Sequence, residues 1–325
     1  MTDLTLSIAT CPYDRVASLR DGEVAPDGIT LDYTTRIPAH DIFLAMVERG
    51  AWDVSEMSLA LYTIARARGE FPFVALPVFP SRVFRHGNIY VNRRTGIETP
   101  KGLEGARVGI QEYRQTAGIW MRGMLRDEYG VDTGSIRWVE GGVDIPRGPK
   151  DSDMRPDGAL SIEPLPDGGT LSAALADGDI DAILSARQPA SARTCDDVIR
   201  LIPDFRAVEQ DYVRKTGIFP IMHTVVMKEQ LWRDQPWIAG SLYRAFEEAK
   251  ALAIARLRYS GAMMSMLPWQ YDDLDEMDRV FGGDPWAYGV EPNRAQLDTF
   301  YRYLVEERFL PEAPSADELF APVDS

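Results

Sequence analysis

Two stretches of the sequence share one pattern: Gly50-Ala51-Trp52-Asp53-Val54 and Gly178-Asp179-Ile180-Asp181-Ala182. In each stretch a glycine ends a predicted amphipathic helix, where a residue that tolerates left-handed backbone geometry is favoured, and an aspartate marks the start of a strand. The match predicts two equivalent α/β units in one chain. The same residues also fit the loop chemistry that αβ connections share in general, so the sequence leaves both interpretations open.

Strand-like and helix-like segments alternate around both stretches, which is typical of an α/β fold. The first series is predicted to contain a helix at 39–49 and strands at 4–10, 29–34, 52–55 and 73–79. The second is predicted to contain helices at 116–129 and 171–177 and strands at 106–111, 136–139 and 180–184. Residues 143–169 are rich in Pro, Gly and Asp and are predicted to form a long surface excursion in the second unit.

The C-terminal third is predicted to be mainly helical after an apolar strand that begins at Ile221. The clearest helix is predicted to start near Asp234, with Pro236 in its first turn. Open α/β sheets bind ligands beyond the C-terminal ends of their strands. Two α/β units, the second inserted into the first, therefore predict a ligand cleft between them.

Composition and charge exclude several classes of protein. The 325 residues include 50 acidic and 35 basic side chains, a formal charge of −15, which repels phosphate backbones and argues against nucleic-acid binding. The two cysteines, Cys11 and Cys195, lie in no zinc-like or CxxC spacing. No apolar run approaches the roughly 20 residues that span a bilayer, and the first residues have no basic, apolar leader pattern. The sequence therefore predicts a cytoplasmic protein without a membrane partner and leaves a homo-oligomer open.

Motifs for common cofactors are absent from the sequence. It has no GxGxxG, no GxxxxGK[ST] and no nucleophile elbow, which excludes the dinucleotide, P-loop and α/β-hydrolase interpretations. It also has no HxH or HExxH spacing, so no cofactor and no dedicated metal site are predicted. Convergence of Glu56, His86, Glu112 and His223 as metal ligands stays open as the alternative.

Several short motifs carry a resemblance that composition does not. They are Tyr13-Asp14-Arg15, Trp52-Asp53-Val54-Ser55-Glu56, Pro77-Val78-Phe79-Pro80-Ser81-Arg82-Val83-Phe84-Arg85-His86, Glu112-Tyr113 with Thr116-Ala117, Trp138 with Gly141-Gly142, Ser185-Ala186-Arg187, and Thr216-Gly217-Ile218-Phe219-Pro220-Ile221-Met222-His223. Together, from about Ala9 to Lys250, these motifs resemble the 4,5-dihydroxyphthalate decarboxylase family.

The resemblance implies a fold as well as an activity. The family is similar to type 2 periplasmic-binding-protein-like α/β proteins, in which two lobes joined by two crossover strands close over a ligand. The expected lobes are residues 1–91 with 222–325, including the helical C-terminus, and the inserted residues 92–221. The expected crossovers are 88–92 and 217–227. The implied reaction removes one carboxylate from a dihydroxylated ortho-dicarboxylate, giving 3,4-dihydroxybenzoate and CO2.

Such a reaction needs an acid, a base near the phenol and cations for the carboxylates. Among the three histidines, His86 is predicted as the proton donor, because it lies in a loop expected to follow a strand. His223, in a probable crossover strand, is either a second catalytic group or a core residue, and His40 is predicted to be a surface residue. Glu56 and Glu112 are predicted to follow strands, one in each unit, and either would accept a phenolic proton or orient His86.

The substrate-binding residues are predicted from the same motifs. Arg82 and Arg85, with Arg187 from the second unit, would clamp the carboxylates, since a guanidinium matches a carboxylate in bidentate fashion. Thr116 would cap the helix that follows it and hold an anion there. Tyr13 and Arg15 would contribute a hydroxyl and a cation.

Two alternatives belong to other classes. A solute-binding protein for an aromatic carboxylate would use the same arginines without releasing CO2. A relative of the thiamine-pyrimidine synthases would use the same scaffold for different chemistry. The expected ligand is a small aromatic carboxylate both for the decarboxylase and for the solute-binding protein.

Overall fold

Strands and helices alternate along the chain as the sequence predicts. The computed structural model describes residues 4–69, 71–148, 154–158 and 161–323. Part of the predicted surface excursion at 143–169 and the first three residues lie outside this description. No helix in the described ranges is long and apolar enough to cross a membrane.

The strands in the described ranges form two sheets. They are β1 (Leu4–Thr10), β2 (Ile29–Thr35), β3 (Val54–Ser58), β4 (Phe73–Arg82), β5 (Ile89–Asn92), β6 (Arg107–Ile110), β7 (Arg137–Glu140), β8 (Ile162–Pro164), β9 (Ala182–Leu184), β10 (Val198–Arg200) and β11 (Ile221–Lys228). The first sheet has the order β2-β1-β3-β11-β4 and the second the order β10-β5-β9-β6-β7-β8.

The α-helices cover the faces of the sheets and most of the C-terminal third. They are α1 (Ala17–Arg20), α2 (Ala39–Arg49), α3 (Leu59–Ala67), α4 (Thr116–Tyr129), α5 (Leu171–Asp177), α6 (Ser191–Thr194), α7 (Phe205–Thr216), α8 (Glu229–Asp234), α9 (Trp237–Arg258), α10 (Gln270–Phe281), α11 (Arg294–Glu306) and α12 (Ala316–Leu319). The predicted start of the long C-terminal helix is corrected: Asp234 ends α8, and α9 begins at Trp237.

The glycine-aspartate pattern has the same structural role in both sheets. Gly50 ends α2 with a φ of 56°, and Gly178 ends α5 with a φ of 86°. Just before β3, the carboxylate of Asp53 accepts a bond from Ser7 N at 3.0 Å. Just before β9, Asp181 accepts a bond from Arg107 N at 2.7 Å. Each aspartate therefore ties its strand to the parallel neighbour, β1 or β6.

The strand pairing repeats in the same way. In the first sheet β1 lies between parallel β2 and β3, and β3 is followed by antiparallel β11. In the second, β6 lies between parallel β7 and β9, and β9 is followed by antiparallel β5. The two units therefore share one local topology, as the repeated pattern suggested.

The chain divides into two compact units. Unit 1 comprises Met1–Arg82, Thr216–Asp298 and Pro314–Ser325, and unit 2 comprises Val83–Lys215 and Thr299–Ala313. The expected boundaries at 91/92 and 221/222 lie nine and six residues beyond the observed boundaries at 82/83 and 215/216. Strand β5, which the first boundary cuts, pairs with β9 and β10 and so belongs to unit 2.

The larger difference concerns residues 299–313, which the sequence analysis assigns to the first lobe. In the structure they pack within unit 2. The ring of Trp120 in α4 lies 5.2 Å from Phe300 and 5.7 Å from Tyr303, measured between centroids. The Arg122 guanidinium, fully buried, donates through Nε to Glu307 Oε2 at 2.9 Å. Aromatic packing and a buried ion pair thus fix this segment to α4.

The ion pair between Arg122 and Glu307 predicts a large stability effect. Glu307→Gln leaves the guanidinium buried without its anion, so the free energy of unfolding should fall by about 3–5 kcal/mol. Urea unfolding followed by tryptophan fluorescence measures the change. Glu306→Gln is the matched control, because Glu306 is partly exposed and its ion pairs are at the surface. Equal losses in both variants would contradict the structural role assigned to the buried pair.

Candidate functional site

A buried carboxylate in unit 1 gathers three hydrogen-bond partners. Glu56 lies in the middle of β3, not after the strand as predicted, and its side chain is fully buried. Its Oε2 accepts a bond from the backbone N–H of Cys11 at 2.7 Å. Its Oε1 accepts a bond from the Tyr13 hydroxyl at 2.7 Å and lies 2.6 Å from His223 Nδ1. Three of the predicted site residues therefore meet around one carboxylate.

Strand register brings His223 to Glu56. In the pairing of β11 with β3, His223 lies opposite Ser58 and Val225 lies opposite Glu56, so the histidine is a diagonal neighbour of the glutamate. On its other side β11 pairs with β4, and the register shifts on both sides of His223. Such irregularities redirect a side chain, and they occur often beside functional sites.

Charge and burial set the protonation states around Glu56. Burial alone would raise the pKa of Glu56, but the hydrogen bond and positive charge from His223, with the bonds from Cys11 and Tyr13, hold this pKa below its usual range. The pKa of Tyr13 is raised by burial and by the negative charge of Glu56. The same causes raise the pKa of the Cys11 thiol to about 12. At neutral pH the carboxylate is thus ionised, and the phenol and the thiol keep their protons.

The two nitrogens of His223 have different surroundings. Nδ1 faces the Glu56 carboxylate, which accepts bonds only, so Nδ1 carries a proton. The ring also packs edge-on against Phe43, with the centroids 4.9 Å apart. About 20% of the His223 side chain is exposed. The contact with Glu56 therefore fixes the orientation of the imidazole ring, and Nε2 is the nitrogen that does not face the carboxylate.

Arg15 lies beside this group between two aromatic rings. Its guanidinium carbon is 4.2 Å from the Tyr13 ring centroid and 4.3 Å from that of Trp286. Its Nε donates to the Pro80 carbonyl at 2.5 Å, and its Nη1 donates to Asp14 at 3.0 Å. Stacking and hydrogen bonds together hold a cation next to the hydroxyl that binds Glu56.

The predicted carboxylate clamp Arg82 has a different role in the structure. Its side chain is buried, with Nη2 donating to the Ala287 carbonyl at 2.7 Å and to Asn293 at 2.5 Å. Its Nη1 donates to the Phe219 carbonyl and to Gln296. Protein acceptors thus occupy both ends of the guanidinium fork. The interaction of Arg82 with Ala287 holds the segment that carries Trp286.

The predicted proton donor His86 lies in unit 2 and is almost completely buried. Burial lowers its pKa from 6.5 to about 4, so the imidazole is neutral at pH 7. Its ring packs against Tyr212 with the centroids 5.1 Å apart. The carboxylate of Glu209 lies 3.8 Å from Nδ1, which is beyond hydrogen-bond distance. This environment does not favour an imidazolium, the form that the predicted acid role requires.

The other predicted site residues of unit 2 differ in how far their side chains are buried. Arg85 is buried and donates to the Ala186 carbonyl at 2.9 Å. Arg187 is exposed and donates to Gln111 at 3.1 Å. Glu112 follows a strand as predicted and lies 2.5 Å from Arg114 Nε. Thr116 is the first residue of α4; the cap position belongs to Gln115, which corrects the predicted cap.

The four residues named as alternative metal ligands form no such group. Among the described residues, no three His, Cys, Asp or Glu side chains lie together in a way that would hold a metal ion. Within unit 1, Glu56 and His223 contact each other and share their environment with Tyr13 and Arg15. Unit 1 therefore brings together a carboxylate-imidazole pair and a nearby cation.

Several residues of these environments escape sequence reasoning. Trp286 lies in a Gly- and Pro-rich segment after α10. Arg147 and Arg155, which form ion pairs with Glu112 and Glu140 in unit 2, lie in the stretch predicted as an irregular excursion. Glu209 lies in the middle of α7 and has no motif around it. Their roles depend on which strand ends and loops lie next to each other in the fold. The spacing of residues along the chain does not predict this proximity. The motif that ends at His223 is the sequence signal that identifies this part of the site, because it contains the histidine that contacts Glu56.

Solved structures with a similar fold indicate the class of protein. Periplasmic aliphatic sulphonate-binding protein SsuA from Escherichia coli has a similar structure, with a TM-score of 0.55, 14% identity, and coverage of 98% of this chain and 97% of that chain. The sulfonate-binding SsuA from Methylobacillus flagellatus gives a TM-score of 0.53 at 11% identity, over 99% and 93% of the two chains. The chain therefore has the type 2 periplasmic-binding-protein-like α/β fold.

Sequence relatives define the family within that class. A 4,5-dihydroxyphthalate decarboxylase of Comamonas testosteroni is 39% identical over 302 residues, which cover 92% of this chain and 91% of the relative. A second protein of that name, from Pseudomonas putida, is 36% identical over 58% of this chain and 73% of its own length. No protein-family model matches the sequence. The chain belongs to the 4,5-dihydroxyphthalate decarboxylase family.

The burial of His86 predicts a pH dependence of stability. Its pKa is lower in the folded chain, about 4, than the ordinary value of 6.5. The unfolded chain therefore takes up this proton first as the pH falls, and stability is lost below about pH 6.5. Between about pH 7.5 and pH 5 the loss from this residue should be about 2 kcal/mol.

Comparison with His86→Gln isolates that contribution. The variant cannot take up the proton, so its free energy of unfolding should depend less steeply on pH over the same interval. Urea unfolding of both proteins at the two pH values gives the difference. An identical pH dependence for both proteins would show that the residue is not held in its neutral form.

Proposed function

We propose that this protein is a carboxy-lyase that removes one carboxylate non-oxidatively from 4,5-dihydroxyphthalate, giving 3,4-dihydroxybenzoate and CO2. Two relatives with that name support the substrate. The single structural observation that supports the chemistry is the contact of 2.6 Å between His223 Nδ1 and the buried, ionised Glu56. The pair provides a proton donor whose orientation is fixed by an anion.

The proposed reaction begins with transfer of a proton from His223 Nε2 to the ring carbon that bears the carboxylate. The hydroxyl para to that carbon supplies electron density, and its proton passes to solvent water as a dienone-like intermediate forms. The bond to the carboxylate then breaks, CO2 departs, and the electron pair of that bond restores the aromatic ring as the phenol regains its proton. One proton is consumed for each carboxylate that becomes CO2.

His223 fits the role of donor better than the originally predicted His86. An acid that is consumed in each cycle must regain its proton from water, and the His223 side chain is 20% exposed whereas that of His86 is 2% exposed. Glu56 stabilises the positive charge that His223 carries before proton transfer. The carboxylate of Glu209 lies 3.8 Å from His86 Nδ1, which is beyond hydrogen-bond distance.

Tyr13 and Arg15 support the pair in different ways. The raised pKa of Tyr13 keeps its hydroxyl protonated, so it acts as a donor that holds Glu56 and not as the base for the substrate phenol. Arg15, held between two rings, supplies a positive charge for oxygen atoms of the substrate. Glu56 has its two oxygens engaged by three partners, which suits a positioning role.

The substrate itself supplies the electrons for this chemistry, so we propose that no organic cofactor takes part.

We also propose that the protein works in the cytoplasm. Both cysteines, Cys11 and Cys195, are free thiols, the state that a reducing compartment maintains. Cell fractionation with an antibody against the protein tests the location.

The assay follows directly from the proposed reaction. Purified protein is incubated with 4,5-dihydroxyphthalate, with and without a chelator, while 3,4-dihydroxybenzoate and CO2 are quantified. In deuterated water the product should carry one deuterium at the carbon that lost its carboxylate. Turnover is expected in both samples. Saturable binding of the acid without CO2 release would favour a solute-binding protein instead.

Replacement of His223 tests the assigned donor. His223→Gln keeps a polar side chain but cannot deliver the proton, so kcat should fall by about 10²–10⁴-fold. Glu56→Gln should also lower kcat, because it removes the anion that orients and stabilises the imidazolium. Steady-state kinetics, with circular dichroism to confirm folding, measure both effects.

The matched control is His40→Gln, at the start of α2 and outside the group around Glu56. It should retain full activity. His86→Gln should retain most of the activity if the variant folds. Loss of turnover in folded His86→Gln together with normal turnover in His223→Gln would move the donor to unit 2.

A further inference from the structure

An arginine cluster lies at one edge of the second sheet. It consists of Arg114, Arg147, Arg155 and Arg187, together with Glu112 and Glu140. Glu140 is the last residue of β7, and Glu112 and Arg187 follow β6 and β9 by a few residues. These three strands are parallel neighbours, so their C-terminal ends meet at the edge where open α/β sheets bind ligands.

Ion pairs connect three of the four arginines to the two carboxylates. Glu112 lies 2.5 Å from Arg114 Nε and 3.8 Å from Arg147 Nη2. Glu140 lies 3.9 Å from Arg147 Nη1 and 2.5 Å from Arg155 Nη1. The guanidinium of Arg147 thus lies between the two carboxylates at distances longer than a hydrogen bond.

Gln111 joins the fourth arginine to the cluster. Its carbonyl accepts a bond from Arg147 Nη1 at 3.2 Å, and its side-chain oxygen accepts a bond from Arg187 Nη2 at 3.1 Å. One residue after β6 therefore brings together an arginine of the irregular excursion and an arginine that follows β9. The arrangement depends on the strand ends and not on any local sequence motif.

The cluster has more positive than negative charge. Among the described residues that form it, four guanidinium groups face two carboxylates, an excess of two positive charges in a protein whose formal charge is −15. Concentrated like charges repel each other unless an anion neutralises them. The excess matches one dianion.

A buried ion pair lies in the same place, next to the start of a helix. Glu112 Oε1 and Arg114 Nε are both buried and lie at ion-pair distance, but neither has a hydrogen bond of acceptable geometry in the described structure. Helix α4, 14 residues long, begins immediately after this segment, and the side chain of its cap residue, Gln115, makes no capping bond. The helix start adds further donors.

We propose that the arginine cluster of unit 2 binds an aromatic ortho-dicarboxylate through its two carboxylate groups. Planar guanidinium forks match carboxylates in bidentate fashion, and adjacent ring carboxylates present two such groups at a fixed separation. This assignment rests on the proposed function for its substrate class and extends it to residues that the family motifs do not contain, above all Arg147 and Arg155. Arg82 and Arg85, buried and engaged with protein acceptors, have no part in it.

Phthalate is the probe, because it carries both carboxylates and lacks the hydroxyl groups that the proposed reaction requires. Isothermal titration calorimetry of the full chain with phthalate, benzoate and inorganic phosphate compares a dicarboxylate, a monocarboxylate and a different dianion. Phthalate should bind at least ten times more tightly than either of the others. Phosphate binding equal to that of phthalate would overturn the assignment to a dicarboxylate.

Two variants locate the binding. Arg147→Gln and Arg187→Gln should each weaken phthalate binding by at least tenfold while changing benzoate binding less. Arg187 is exposed, so its replacement keeps the test valid if Arg147→Gln does not fold. Arg193→Gln, an exposed arginine of the same unit, is the control and should bind phthalate normally. Unchanged binding in both cluster variants would overturn the proposal.

The design separates this inference from the proposed function. Phthalate binding requires no turnover, so its loss in the cluster variants supports the site even if the wild-type protein releases no CO2. Conversely, decarboxylation by the wild-type protein together with normal phthalate binding in both variants would leave the activity established and the cluster assignment wrong.

Discussion

The buried carboxylate of Glu56 is the constraint on which the arrangement of unit 1 depends. Removing an ionised carboxylate from water costs free energy. Such a group is stable in a protein interior only where hydrogen-bond donors replace its hydration shell. Here the donors are the Cys11 backbone N–H, the Tyr13 hydroxyl and His223. They come from the end of β1, the loop after it and β11, so one side chain fixes the relative positions of three segments. The same constraint orients the imidazole of His223 through its Nδ1 atom.

Much of the fold follows from local signals that agree with one another. Gly50 and Gly178 end their helices in left-handed geometry, and Asp53 and Asp181 each bind the backbone of the neighbouring parallel strand. The glycine after each helix and the aspartate before each strand are local signals that the sequence alone predicts, whereas the backbone partners of the two aspartates lie 46 and 74 residues away. The grouping of residues 299–313 with unit 2 depends instead on partners far along the chain, such as the Arg122 guanidinium for Glu307. No periodicity or cap in the C-terminal third reports that partner.

The candidate site shows the same division. Family motifs name Glu56, His223 and Tyr13, and the structure brings these three together. The motifs also name Arg82 and His86, whose side chains are buried among protein acceptors and aromatic rings. A motif reports that a residue type matters at a position, but it does not report whether the side chain faces solvent or the interior. Burial decides between an arginine that binds a ligand and one that holds a loop.

The contrast between the two histidines shows why protonation, more than residue type, separates a decarboxylase from a binding protein with the same fold. A binding protein needs only groups of constant charge, and arginines and helix starts suffice for an anion. A decarboxylase of this kind must also contain a group that gives up a proton and regains it in every cycle. Burial lowers the pKa of His86 to about 4 and keeps it neutral. His223 has a buried anion beside one nitrogen and is partly exposed to solvent, and these two features are the basis for proposing it as the group that carries and renews the proton.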